Sequence, residues 1–153
     1  MATALDGFAG SGEDAPEFER SDGYRPSTDE PFMSSRQLEY FRQKLMAWKQ
    51  SILRESEGTL AHLQSESLRE PDLTDRATSE TDFSIELRTR DRQRKLIAKI
   101  DAALRRIDQG EYGYCEVTGD PISLGRLEAR PIATMTVEAQ ERHERQEKIS
   151  RDE

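Results

Sequence analysis

Pro71-Asp72-Leu73-Thr74-Asp75-Arg76-Ala77 is the first strong break in two long helical patterns, and its reading decides how the chain folds. Pro71 lacks an N–H and opposes helical geometry at Glu70, while the side-chain oxygen of Thr74 or Asp75 can cap the helix that follows. Two long helices joined by so few residues run antiparallel, which makes residues 70–77 the free tip of a hairpin. Asp72 and Asp75 then lie about one helical turn apart, and this acidic tip reads as the working end.

Upstream, Ser34 and Gln37 have the spacing of a capping box, and apolar residues recur at Leu38, Phe41, Leu45, Trp48 and Ile52. Steps of three and four make one narrow stripe that must meet a partner helix, continuing more weakly through Leu60 and Leu63 toward Leu68. A helix over residues 35–69 is ~50 Å long at 1.5 Å per residue. The returning helix, from about Asp75 to Gln109, matches it. Its stripe runs through Ala77, Phe83 and Leu87, then Ile97, Ile100, Leu104 and Ile107, and Gly110 stands where a left-handed cap is expected. Large apolar residues thin out toward the tip, so that end resists opening least.

Outside the hairpin the composition changes. Residues 1–30 carry eight acidic side chains against Arg20 and Arg25 and supply −6 of the net charge of −8. Such a stretch is a poor core former and is expected to be a largely disordered tail, although Phe8, Phe18 and Tyr24 suffice for a short docking segment. With 33% hydrophobic and 35% charged residues in 153, the chain suits an elongated helical protein better than a large globular core. No apolar run approaches the ~20 residues of a membrane span and no secretory signal is apparent, so a cytoplasmic location is expected. The single cysteine, Cys115, has no internal disulfide partner.

On the second arm, residues 88–106 hold eight basic side chains against Asp91 and Asp101. A run of this kind is more often a solvated face than a nucleic-acid footprint, and the acidic total argues against sequence-specific DNA binding. After Gly110, Glu111 to Asp120 has the aromatics and glycines of a compact strand and turn, followed by a short turn ended by Pro131. A charged helix closes the chain from near Thr136, with Glu144 and Lys148 spaced to pair. The expected architecture is mainly α. It has an acidic tail (1–33), an antiparallel coiled-coil hairpin (34–109, tip 70–77), a small knob (110–135) and a C-terminal helix (136–153).

Four blocks carry a resemblance: Asp72-x-x-Asp75-Arg76-Ala77; Glu86-Leu87-Arg88-x-Arg90-Asp91-Arg92-x-Arg94-Lys95-Leu96-Ile97; Gly113-Tyr114-Cys115-Glu116; and Arg126-Leu127-Glu128-Ala129-Arg130-Pro131. In this order and spacing, over roughly residues 33–149, the chain resembles the DksA family of bacterial transcription factors. The resemblance implies a factor that binds RNA polymerase rather than DNA, inserts its hairpin through the secondary channel and alters open promoter complexes, with Asp72, Asp75 and Ala77 as the functional tip. It also implies joint action with guanosine tetraphosphate, ppGpp, at promoters such as those for stable RNA and amino-acid biosynthesis. The family's ppGpp contacts match Leu96, Lys99 and Arg130, whereas a further basic position of the family is Gln140 here. A monomer is expected.

One departure concerns metal. The family typically has four zinc-binding cysteines in a C-x2-C-x17-C-x2-C pattern, and the matching positions here are Cys115, Thr118, Thr136 and Ala139. One thiolate, two hydroxyls and a methyl do not make a structural zinc site, so no zinc is expected and the knob is read as a zinc-finger-like unit without its metal. Packing by Val117, Ile122, Leu127, Ile132 and Met135, with a hydroxyl link between Thr118 and Thr136, is expected to replace it. An enzymatic alternative is a transcript-cleavage type of factor, using the tip carboxylates to hold a catalytic metal. The blocks after the tip match DksA instead, and the chain is read as a non-enzyme.

Overall fold

The fold was analysed in a computed structural model, which describes residues 14–67 and 73–152. Its helices are α1 (Ser35–Ser67), α2 (Leu73–Gln109), α3 (Leu124–Ala129) and α4 (Val137–Asp152). Among the described residues the only β pairing is an isolated antiparallel bridge between Tyr114 and Pro121, so the strand expected after Gly110 is reduced to one residue on each side.

The first two helices pair as the hairpin that their stripes require. Arg42 meets Asp108 at 2.7 Å, Lys49 meets Asp101 at 2.8 Å, and Ser56 donates to Gln93 at 2.8 Å. A step of seven along α1 is thus answered by seven and then eight back along α2, the heptad register of an antiparallel coiled coil. Near the base the seam is apolar, with Phe41, Leu45, Trp48 and Ile52 buried against Ile100, Ala103 and Ile107. Toward the tip polar pairs join the arms among the described residues: beyond Ser56 and Gln93, His62 meets Glu86 at 3.4 Å. Phe83 and Leu87, read as seam residues, are 41% and 47% exposed there. Leu87 lies on an open groove with Leu53 and Ile97, so part of its side chain stays in contact with water.

Caps fix both ends of this hairpin's base. The Ser34 Oγ accepts from the Gln37 N–H at 3.4 Å, half of the expected capping box. The returning half is different, because the fully buried Gln37 accepts from the Met33 N–H at 2.8 Å and donates to the Ser27 carbonyl at 3.1 Å. At the other end Gly110 takes φ +77°. Its N–H bonds Ile107 O at 3.2 Å and that of Glu111 bonds Arg106 O at 2.9 Å, the paired bonds of a Schellman cap. Arg106 then ties helix to knob by donating to the carbonyls of Glu111 and Tyr114.

The knob hangs on buried Tyr112, Cys115, Ile122 and Leu127, with Ile132 and Met135 partly buried against them. Val117, expected in this packing, is instead 64% exposed, because the turn that presents its N–H inward points its side chain out. Tyr40 and Lys44 of α1 both bond Glu128 of α3, at 2.7 and 2.8 Å, which locks the knob to the hairpin. The Tyr112 hydroxyl donates to Pro131 O at 2.7 Å. Burial followed by Glu128 pushes the phenols of Tyr40 and Tyr112 well above their usual range, so both stay protonated donors.

The expectation of a largely disordered acidic tail is corrected for residues 14–33, which lie packed along the hairpin base and knob. Aromatic rings hold them there. Phe18 meets Tyr40 edge-on with centroids 5.6 Å apart, Phe32 meets Tyr114 at 5.4 Å, and Tyr24 is buried beneath the Arg36 guanidinium at 4.0 Å. Burial, reinforced by the bond to Glu30, raises the Tyr24 phenol to about 12. Rings that each cover 150–250 Å² outweigh the acidity of their neighbours, which keep their carboxylates at the surface or spend them locally. The segment is also shaped to its neighbour: a Cβ on Gly113, at φ +92°, would stand 2.8 Å from the Met33 Cγ. Residues 1–13 lie outside the described residues.

Candidate functional site

Three places drew attention in the sequence: the hairpin tip, a basic set on the second arm and knob, and the four positions of the incomplete metal pattern. At the tip, α2 begins at Leu73, so Thr74 and Asp75 sit within its first turn instead of capping it. Asp75 and Ala77 are therefore helical in backbone. Asp72 and the side chains of Asp75 and Ala77 fall outside what the structure describes.

The basic set is brought together. A cavity of about 430 Å³ opens between α2, α3 and the start of α4, lined by Lys99, Arg126, Arg130, Thr134 and Gln140 over a floor that includes Ala103 and Ile132. Lys99, Arg126 and Arg130 bring positive charge to its lining among the described residues, a composition suited to an anion with several negative oxygens. Each cation has a structural reason for its place. Lys99 lies one turn before the buried Ala103 on α2, and Arg130 is the C-cap of α3, its N–H bonded to Arg126 O at 2.7 Å. Arg126 is aimed by the bond from its Nε to Met135 O at 2.9 Å. Burial first, and then the like charge of Arg130, lower the Arg126 pKa, which favours a counter-anion between them.

Leu96 does not line this cavity. It lies partly buried one turn earlier on α2, in an adjoining groove with Asp14, Pro16, Trp48 and Ile52. Arg126 was missed in the sequence, although its i,i+4 spacing to Arg130 would have placed both on one face of a helix. Gln140, the neutral member, donates to Glu144 at 3.0 Å, so Glu144 is engaged back along α4 as well as being spaced for Lys148. The remaining basic residues of the arm are partly self-neutralised: Asp91 takes bonds from Arg94 and Lys95, which hold its carboxyl below the usual range.

At the metal positions the residues do converge, but not as a zinc site. Cys115 is buried, and its thiol meets the Thr118 hydroxyl and the N–H groups of Thr118, Thr136 and Val117. Burial opposes ionisation, yet these donors outweigh it and hold the thiol at about 7. The two threonines are not linked through their hydroxyls as expected: Thr118 also accepts from the Asp120 N–H and Thr136 from the Ala139 N–H, each at 3.2 Å. The Ala139 methyl is buried where a fourth ligand would stand. One thiol, two hydroxyls that already accept backbone N–H bonds and a methyl do not supply the ligands of a four-coordinate zinc. Among the described residues, no group of three His, Cys, Asp or Glu is placed to hold a metal ion.

Comparisons with known proteins agree on one family. The model for "DnaK suppressor protein DksA, N-terminal domain" matches residues 37–107, and that for "Prokaryotic dksA/traR C4-type zinc finger" matches residues 110–145. The chain is 70% identical over 134 residues to the RNA polymerase-binding transcription factor DksA of Caulobacter vibrioides, covering 88% of this chain and 94% of that one. To the Escherichia coli K12 protein of the same name it is 42% identical over 125 residues, covering 82% and 83%. The solved structure of transcription factor DksA2 from Pseudomonas aeruginosa superposes with a TM-score of 0.74 at 36% identity, covering 81% of this chain and 94% of that one. These relatives are named as transcription factors, not as enzymes. No helix among the described residues is long and apolar enough to cross a membrane.

Proposed function

This chain belongs to the DksA family, and from that premise we propose that it regulates transcription by binding RNA polymerase and altering open promoter complexes. The observation that carries this reading is the 70% identity, over 134 residues and 88% of this chain, to a relative named an RNA polymerase-binding transcription factor. A thin hairpin reaches through the polymerase secondary channel, a passage too narrow for a globular domain, and carries Asp72, Asp75 and Ala77 toward the catalytic centre. Negative charge delivered there acts on basic groups and on the surroundings of bound magnesium. No catalytic role belongs to the chain in this reading, which acts as a cytoplasmic monomer.

The effector in this reading is ppGpp, at promoters such as those for stable RNA and amino-acid biosynthesis. Lys99 and Arg130 supply its phosphate partners in the cavity, Arg126 joins them, and Leu96 supplies apolar surface in the neighbouring groove. Gln140 contributes amide hydrogen bonds without charge. No resident metal enters the mechanism, since the residues at the family's zinc positions do not fit one.

The test is polymerase-dependent transcription with and without ppGpp, alongside direct binding of the purified chain to polymerase. The expected result is binding to polymerase, shortened open-complex lifetime and a larger effect when ppGpp is present. A chain that binds no polymerase overturns the reading.

A further inference from the structure

The acidic N-terminal segment ends, within the described residues, on the cation-lined cavity. The Asp14 Oδ1 lies 3.4 Å from the Arg130 Nε. Next to it, the Ala15 N–H bonds the Ala129 carbonyl at 2.9 Å, and Ala15 is partly buried against the core. From there Phe18 and Tyr24 anchor the chain on Tyr40, so the position of Asp14 is set by a backbone bond and two rings rather than by its own ion pair. Asp14 also lines the groove that holds Leu96. It therefore stands where the Leu96 surface and the Arg130 surface meet, touching both halves of the set read as contacting ppGpp.

We propose that Asp14 is a built-in counter-ion of Arg130, a carboxylate latch that a phosphate ligand must displace to use this cation. The proposal rests on the effector reading of the cavity given above and adds a regulation to it. A carboxylate is a weaker partner for the Arg130 guanidinium than a phosphate, which brings more charge and three acceptor oxygens. The side chains of Arg130 and Asp14 keep 30% and 41% exposure, so water screens the pair and the latch is weak enough to exchange. Its effect is to raise the ligand concentration at which the cavity fills without abolishing filling, because Lys99 and Arg126 still face the ligand.

The test measures the half-maximal ppGpp concentration in polymerase-dependent transcription for the full chain and for Asp14→Asn, Arg130→Ala and the double variant. Asp14→Asn keeps the side chain's shape and removes the competing charge. It is expected to lower the half-maximum about two- to fivefold, the range for a partly exposed ion pair. Arg130→Ala alone is expected to raise it. In the Arg130→Ala background the Asp14→Asn change should have no further effect, as a coupled pair requires. If Arg130→Ala leaves the half-maximum unchanged, the effector reading of the cavity falls and the latch falls with it. If Arg130→Ala raises it while Asp14→Asn does nothing, or acts equally in both backgrounds, the latch alone is overturned.

Discussion

At Cys115 one thiol stands in a frame that the family builds for four, and the frame's donors remain. Hydrogen bonds from Thr118, Thr136 and Val117 hold the thiol at about 7, below the ~8.5 of a free cysteine. The folded state therefore favours the thiolate. The stability this adds is fully present above about 8.5 and is lost as pH falls through about 7. Thr118→Val removes the hydroxyl donor and is expected to move the thiol's titration up toward the free value, as read by pH-dependent alkylation of the folded chain. A titration that does not move would show that the backbone N–H groups alone set it. The sequence showed that the zinc ligands were missing, but not what their replacements bond to. Thr118 and Thr136 looked paired because both stand at positions that the family uses for zinc, whereas the N–H groups that favour the thiolate are invisible to side-chain patterns.

The two arms of the hairpin are unequal along their length. Ile100 is fully buried among Phe41, Leu45 and their neighbours, while Phe83 near the tip remains 41% exposed. Ile100→Ala should destabilise the fold by about 2 to 5 kcal/mol through lost transfer energy and a residual cavity. Phe83→Ala should cost below about 1.5 kcal/mol, since much of its surface is already wet. Denaturant midpoints of the two variants check this, and equal losses would contradict the picture of a firm base and a loose tip. This gradient was readable in the heptad steps from Leu38 to Ile52 and in their thinning beyond. The docking of residues 14–33 was not, because eight acids dominate the first thirty residues and the rings of Phe18, Tyr24 and Phe32 do not follow a helix or strand period. For the same reason nothing in the sequence joined Asp14 to Arg130, which only the folded arm brings within reach.

For the whole molecule, the hairpin is a lever fixed at one end: Tyr40, Lys44 and Glu128 lock it to the knob through hydrogen bonds and an ion pair, and the aromatic segment wraps its base. Strong chelators are accordingly expected to leave the thermal unfolding transition unchanged, and elemental analysis to find no stoichiometric zinc. About one tightly held zinc per chain would contradict the account of the knob. The central claim is that the charge of Asp72 and Asp75 does the work at polymerase. Replacing both by Asn keeps their size, removes the charge and leaves the buried seam and knob untouched. The most direct measurement is open-complex lifetime with this double variant, taken beside its affinity for polymerase. The account predicts near-parental affinity with loss of the effect on lifetime; a variant that binds normally and still shortens the lifetime as the parent does would contradict it.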